Sequence, residues 1–313
     1  MTLDPNLTAF VFPGQGSQKV GMGKELSAAY PEARRVFEEA DQLLGFPLSK
    51  LAWEGPEAEL NDTVNTQPAL LVHSVAALRV FEKLHPDFKP AYVAGHSLGE
   101  LSAAVAASAL DYPAALKLVR RRGELMKRAG EVSPGGMAAI LGLDVEALDK
   151  ITFGASTGGE VVQVANDNCP GQVVISGHSA AVARAMEAAK AAGAKRALPL
   201  AVSIAAHSPL MASAQEDFRK AVAEAFIQDP AIPMIGNVGV DEIKLAEALR
   251  RDLNGQLTAR VRWTDTILAM RKAGLTTFIE LGSGNVLTGL LKRIDTDAVG
   301  IALGDPEDFE RLT

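Results

Sequence analysis

The stretch AYVAGHSLGE, residues 91–100, decides the fold class of this chain. Its first four residues are mostly apolar and predict a short buried strand of the kind found in parallel sheets. The five that follow, Gly95-His96-Ser97-Leu98-Gly99, match the pattern G-x-S-x-G and open a helix predicted over 98–109. Between a strand and a helix this pattern is typical of a nucleophile elbow, a sharp turn that exposes the serine above the sheet. The stretch therefore predicts an α/β fold in which Ser97 is a nucleophile.

A second copy of the triplet tests whether the match could arise by chance. Gly177-His178-Ser179 lacks the second glycine and precedes an alanine-rich helix predicted over 179–192. Serine is a preferred residue just before a helix, so we interpret Ser179 as a helix N-cap.

Outward from the elbow, apolar periodicity predicts alternating strands and helices. Before residue 130 these are strands at 7–12 and 91–94 and helices at 24–44, 68–84, 98–109 and 113–129. Between about 135 and 200 the predicted order is β-α-β-β-α-β, with elements at 137–141, 144–151, 161–165, 172–176, 179–192 and 196–200. Strands at 233–237 and 277–281 then resume the first pattern. We expect a parallel sheet covered by helices, with a ferredoxin-like unit inserted into it.

Composition limits the classes of protein to which this chain can belong. The chain has 313 residues, 48% of them hydrophobic, which is enough for two domains. A net charge of −7 disfavours a nucleic-acid binder. A single cysteine and five histidines show no spacing typical of metal ligands. We find no signal peptide and no apolar run long enough to span a membrane, so we expect a cytoplasmic protein.

A serine nucleophile needs a base, and histidine is the usual one. His207 lies in AAHSP, residues 205–209, where the larger domain resumes and a strand gives way to a helix. Loops at strand ends are where the sites of α/β proteins collect, so His207 is the best candidate. The other histidines lie in less suitable places: His73, His85, His96 and His178.

One arginine of the helix predicted at 113–129 lies on the apolar face, where its charge would not be solvated. Apolar residues recur at helical spacing, and Arg122 falls on their stripe, whereas Arg121 shares a face with charged residues. A buried guanidinium needs an anion, which could be an internal Asp or Glu or the carboxylate of a substrate. Taken alone, this helix favours an internal ion pair, or a buried stem whose charged head reaches water, over the carboxylate of a substrate.

The first strand ends in FPGQGSQ, residues 12–18, a glycine-rich turn that fits neither common nucleotide-binding pattern. This segment and six others together resemble the malonyl-CoA:acyl carrier protein transacylase family. The others are TQPALL at 66–71, GHSLGE at 95–100, RRRGELM at 120–126, NCPGQVVISG at 168–177, HSPLM at 207–211 and ELGSGNVLTGL at 280–290. The resemblance implies an α/β-hydrolase-like large domain at 1–131 and 204–313 and a ferredoxin-like small domain at 132–203.

The resemblance also implies roles for individual residues. Ser97 would carry the malonyl group, His207 would be its base, and Arg122 would bind the free malonyl carboxylate. The backbone N–H groups of Gln15 and Leu98 would form the oxyanion hole, which explains the glycines around Gln15. The remaining expectations are a main-chain carbonyl that orients the histidine, from Gln256, and two weaker substrate contacts, Asn166 and Asn168.

The family needs no metal or redox cofactor, and its partners are malonyl-CoA and an acyl carrier protein. Because such carriers are typically acidic, we expect a basic patch near the cleft that includes Lys195 and Arg196, and we expect the protein to act as a monomer. Many malonyl-selective members have a bulky aromatic residue before the histidine; here it is Ala206, and the thinner wall would admit larger acyl groups. The alternatives are a trans-acting acyltransferase of a polyketide synthase and a serine esterase. A catalytically silent binding subunit is disfavoured, because both Ser97 and His207 are present.

Overall fold

The computed structural model describes residues 3–202 and 204–312. Ten strands are present, in chain order β1 Thr8–Phe12, β2 Tyr92–Gly95, β3 Gly136–Leu141, β4 Val162–Cys169, β5 Gln172–Gly177, β6 Arg196–Pro199, β7 Met234–Ile235, β8 Glu242–Ile243, β9 Thr277–Leu281 and β10 Val299–Leu303. The α-helices are α1 Lys24–Ala29, α2 Pro31–Leu44, α3 Leu48–Glu54, α4 Glu57–Leu60, α5 Thr63–Leu84, α6 Gly99–Ala106, α7 Tyr112–Val132, α8 Val145–Ala155, α9 Ser179–Ala191, α10 Ala212–Glu224, α11 Ala246–Gly255, α12 Trp263–Lys272, α13 Val286–Ile294 and α14 Pro306–Glu310.

The larger sheet has six strands in the order β10-β9-β1-β2-β7-β8. All neighbours are parallel except β7 and β8, which run antiparallel. Strand β1 is buried along its whole length, and two hydrophobic clusters include residues from its alternate positions. A parallel sheet covered on both faces by helices is the predicted α/β architecture.

The smaller sheet is antiparallel and has the order β4-β5-β3-β6. With α8 and α9 against it, this is the ferredoxin-like arrangement, and it has its own hydrophobic cluster around Ile140 and Ile175. The sheet and its cluster support domain boundaries near 131/132 and 203/204, which remain a prediction; Ser203 itself lies outside the described residues.

Three details of the sequence prediction are wrong. The helix predicted at 24–44 is two helices, because Tyr30 is extended and Pro31 begins α2. The helix predicted from Pro68 begins five residues earlier, where the Asp62 carboxylate accepts the N–H of Val64. Proline inside a helix leaves the carbonyl four residues before it without a donor. Here that carbonyl, of Val64, accepts a hydrogen bond from Arg120 at 3.2 Å.

The third error is the N-cap predicted at Ser179. The N-cap is His178, whose side chain does not cap the helix, and Ser179 is the first helical residue. The imidazole of His178 instead accepts the N–H of Val161, through Nδ1 at 3.0 Å.

Strand β4 has a second neighbour besides β5. It forms an isolated parallel bridge to Val261, through hydrogen bonds from Asp167 N to Val261 O and from Val261 N to Ala165 O. At the end of β4, the side-chain oxygen of Asn168 lies 2.8 Å from Nε2 of His96, the residue that follows β2 at the carboxyl edge of the large sheet. Among residues 3–202 and 204–312, no helix is both long and apolar enough to cross a membrane.

Candidate active site

The turn between β2 and α6 has the geometry of a nucleophile elbow. Ser97 has φ of 52°, a left-handed conformation that is uncommon for a residue with a side chain. The two flanking glycines are required by close packing, because a Cβ on Gly95 would overlap the backbone of Gly99, and one on Gly99 would overlap the carbonyl oxygen of Phe12. The elbow is thus pressed against the end of β1, and the Ser97 hydroxyl lies at the amino end of α6.

His207 faces this hydroxyl. Its Nε2 lies 2.9 Å from Ser97 Oγ, and its Nδ1 lies 2.9 Å from the carbonyl oxygen of Gln256 and 3.1 Å from that of Ala259. Because both carbonyl oxygens can only accept, Nδ1 carries the proton and Nε2 is free to accept one from the serine. The main-chain carbonyl of Gln256, expected to orient the histidine, thus lies within hydrogen-bonding distance of the ring, as does that of Ala259; the orienting role remains a prediction.

The imidazole is neutral across the physiological range. His207 is 3% exposed, and burial, with the nearby Arg122 guanidinium, lowers its pKa to about 3. It also has φ of 56°, so the histidine and the serine share the same unusual backbone conformation. A neutral imidazole held at hydrogen-bonding distance from a hydroxyl can act as a general base.

Arg122 is 1% exposed and forms no ion pair with any acid in the described residues. Its Nε and Nη2 donate to the side-chain oxygen of Gln256 at 3.0 and 2.8 Å, and its Nη1 donates to that of Gln67 at 2.7 Å. Nη2 also donates to Ser97 Oγ at 3.0 Å. Amide oxygens orient the guanidinium without neutralising it, so the internal ion pair considered above is not present. Burial lowers the pKa of Arg122 to about 10, which leaves it charged.

A cavity of about 310 Å³ opens over these groups. It is lined by the remaining predicted site residues, Gln15, Leu98, Asn166 and Asn168, and also by Ala206. In the part of the chain that the structure describes, the backbone N–H groups of Gln15 and Leu98 have no acceptor. The side-chain oxygen of Asn168 lies 2.8 Å from His96 Nε2, so the imidazole of His96 is engaged by Asn168.

Gly14 explains part of the glycine-rich turn at the end of β1. A Cβ at this position would lie 2.7 Å from the carbonyl oxygen of His96, too close for any other residue. The turn therefore packs directly on the elbow, and Gln15 follows at the edge of the cavity.

Several polar residues of the site were not anticipated from the sequence. Asn237 accepts the Ser97 N–H at 2.8 Å and donates to the Gly95 carbonyl at 2.8 Å. The amide of Gln256 donates to the Ser97 carbonyl and to Glu100, a fully buried acid whose pKa burial raises well above its usual range. Asn237 ends the strand predicted at 233–237, and this position was an available signal, since polar residues at strand ends collect at α/β sites.

Gln67 and Glu100 lie inside segments already singled out at 66–71 and 95–100, but nothing in either segment indicates a partner. Across residues 3–202 and 204–312, no group of three or more His, Cys, Asp or Glu side chains could bind a metal ion.

The chain is similar in sequence and structure to known proteins. The acyl transferase domain family matches residues 9–297. A malonyl CoA-acyl carrier protein transacylase of Bacillus subtilis is 47% identical over 304 residues, which cover 96% of this chain and 95% of that protein. The crystal structure of an acyl carrier protein S-malonyltransferase from Vibrio cholerae superposes with a TM-score of 0.95 at 45% identity, covering 98% of this chain and 100% of that one.

A further solved structure contains a malonyl-transacylase bound to the acyl-carrier protein of a type II polyketide synthase. It has a TM-score of 0.94 and 44% identity, and it covers 97% of both chains. Similarity of this extent, over nearly the whole length of each relative, goes beyond a shared fold. The chain belongs to the acyl transferase domain family and, within it, to the malonyl-CoA:acyl carrier protein transacylases.

Proposed function

We propose that the protein moves a malonyl group from malonyl-CoA to the phosphopantetheine thiol of an acyl carrier protein, a step of fatty acid synthesis. The observation that carries the proposal is the position of Ser97 Oγ, between a neutral imidazole at 2.9 Å and a buried, acid-free guanidinium at 3.0 Å. The imidazole suits acyl transfer, and the guanidinium suits an acyl group that ends in a carboxylate.

In the first half-reaction, His207 Nε2 takes the proton of Ser97 as Oγ attacks the thioester carbonyl carbon. The developing oxyanion accepts hydrogen bonds from the free N–H groups of Gln15 and Leu98, the latter beside the amino end of α6. The carbon–sulfur bond then breaks, and coenzyme A leaves with the proton that His207 held. The product is malonyl-Ser97.

In the second half-reaction, the carrier thiol gives its proton to His207 and attacks the malonyl ester. Ser97 leaves and recovers the proton, and the malonyl group remains on the carrier as a thioester. Arg122 binds the malonyl carboxylate throughout. Its four contacts use four of its five N–H groups. Among the residues that the structure describes, one N–H of Nη1 therefore has no acceptor, and the Nη2 contact with Ser97 can be exchanged.

Asn166 and Asn168 are the proposed polar contacts for the rest of the substrate. No step of this reaction uses a metal or a redox cofactor. The thin wall at Ala206 leaves room for acyl groups larger than malonyl, and a hydrophobic wall discriminates one methylene by only about 1–3 kcal/mol. That the protein works as a monomer and has no nucleic-acid partner remains a prediction.

A serine esterase is not favoured, since it would need no inward arginine. The carrier of a polyketide synthase would use the same chemistry, so parallel transfer assays with a fatty-acid carrier and a polyketide carrier distinguish these partners.

Intact-mass spectrometry tests the proposal. Mixing the protein with malonyl-CoA should add one malonyl group to the native chain and none to Ser97→Ala. Adding a holo carrier protein should remove the group from the enzyme and place it on the carrier. A malonyl adduct on Ser97→Ala, or an adduct that only hydrolyses, would contradict the proposal.

A further inference from the structure

Gln163, on β4 of the small sheet, reaches the backbone of the histidine. Its side-chain Nε2 donates to the carbonyl oxygen of His207 at 2.7 Å and to that of Thr258 at 2.9 Å. Gln163 is uncharged and belongs to none of the motifs found in the sequence, and it does not line the cavity over Ser97. We propose that Gln163 is a positioning residue that fixes His207 against the loop 256–259 that orients its imidazole.

The backbone of His207 needs such support. Its φ of 56° is a conformation that costs a residue with a side chain about 1–3 kcal/mol unless its surroundings impose it. The hydrogen bonds at Nδ1 fix the ring to Gln256 and Ala259 but do not fix the main chain of His207. Gln163 supplies that second attachment, and it does so from β4 of the small sheet.

The position of the amide makes it a link between two segments. One nitrogen carries both hydrogen bonds, so it ties the residue that bears the imidazole to Thr258, which lies between the two carbonyl groups that orient it. The distance from Nδ1 to those carbonyl oxygens is therefore set partly by Gln163. Since a misplacement of about 1 Å can slow a reaction about a hundredfold, this link matters for the chemistry of Ser97.

Gln215 provides a matched control. Its side-chain oxygen accepts the N–H and the hydroxyl of Thr258 at 3.0 and 2.8 Å, so it anchors the same loop from α10. It has no hydrogen bond with His207 in the described residues. Replacing Gln163 or Gln215 by methionine removes one side-chain anchor from Thr258, but only Gln163→Met frees the carbonyl of His207.

The inference rests on the proposed function, so its test uses a probe that needs no malonyl group. Phenylmethanesulfonyl fluoride, a neutral electrophile, should modify Ser97 at a rate that follows the fraction of neutral His207. In the native protein, a pKa of about 3 keeps that rate constant from about pH 8 to about pH 5. In Gln163→Met, two carbonyl oxygens lose their donor, the loop separates and water enters.

Two results are expected for Gln163→Met. Labelling at pH 8 should be about ten- to a hundredfold slower. On acidification, the labelling rate should begin to fall at a higher pH than in the native protein, shifted toward the ordinary histidine pKa of about 6.5. Gln215→Met should keep the pH dependence of labelling that the native protein has. An unchanged profile for Gln163→Met, or an equal shift in Gln215→Met, would overturn the inference. If Gln163→Met does not fold, Gln163→Asn, which keeps the amide but cannot reach both carbonyls, takes its place. Absence of labelling in the native protein would instead refute the proposed nucleophile.

Discussion

Arg122 is a buried charge that the protein orients but does not neutralise. Its partners are two glutamine oxygens and the Ser97 hydroxyl, and the buried acid Glu100 reaches it only through the amide of Gln256. A carboxylate hydrogen-bonded directly to the guanidinium would satisfy it and close the site to a dicarboxylic substrate. The amide contacts leave that place open, and we therefore propose that this residue sets the choice of acyl group.

Replacing Arg122 by alanine should therefore change selectivity more than general reactivity. We expect malonyl transfer to fall about a hundred- to a thousandfold, because a carboxylate enters a buried site without a counter-charge. Transfer of a neutral group such as acetyl should rise. The measurement is the rate of each transfer from its coenzyme A thioester. Arg121→Ala should change neither rate, because the Arg121 side chain is 48% exposed and its Nη1 lies 3.9 Å from Oε2 of Glu124. Equal losses for malonyl and acetyl would count against the carboxylate contact.

Strand β1, strand β2 and helix α6 together form the elbow, and their spacing depends on glycine. The Phe12 carbonyl accepts the N–H of His96 at 3.0 Å, and the same carbonyl oxygen contacts the position where Gly99 would carry a side chain. Any Cβ there would push α6 away from β1. The hydroxyl of Ser97 would then lose its alignment with His207, which lies on a different segment.

Gly99→Ala should accordingly destabilise the protein by several kcal/mol and abolish acylation of Ser97, since backbone atoms cannot move aside as a side chain does. Gly289→Ala is the matched control, because Gly289 lies inside α13, and apart from its own helix backbone no atom of the described residues lies within 4 Å of an added Cβ. In that position alanine should stabilise the helix by about 0.5–1 kcal/mol. Thermal unfolding and malonyl-CoA mass labelling measure both effects. Native acylation in Gly99→Ala would show that the backbone at the elbow can move to accommodate a Cβ.

Across the whole molecule, the sequence could predict local features but not contacts between residues that are far apart in the chain. Strands, helices and the G-x-S-x-G turn are local, and periodicity and glycine spacing indicate them. Gln163 and His207 are 44 residues apart, and Gln256 and Arg122 are 134 apart. No local pattern specifies such pairs, because the partners lie on different elements that come together only in the folded chain. Pro31 could have indicated the break between α1 and α2, but the apolar periodicity around it favoured a single helix.

The basic residues expected near the cleft lie together on one surface. Lys195 and Arg196 line a surface pocket with Arg293, all three are exposed, and none pairs with an acid among the described residues. Arg293 donates to the side-chain oxygen of Gln172 at 2.6 Å, and Gln172 lines the cavity over Ser97. The patch is therefore adjacent to the cavity, where the phosphopantetheine arm of an acidic carrier would need to enter.

On a chain with a net charge of −7, this local patch should govern encounter with the carrier. The variant with Lys195→Glu and Arg196→Glu should transfer malonyl to the carrier about tenfold more slowly at low salt. The difference should fade toward 1 M salt, where the screening length falls to about 3 Å. Lys83→Glu with Lys89→Glu, near the amino end of β2, makes the same change in net charge, from −7 to −11, and should leave the rate unchanged. Two equal losses would assign the effect to total charge, and an undiminished rate in the first variant would exclude the patch as the docking surface.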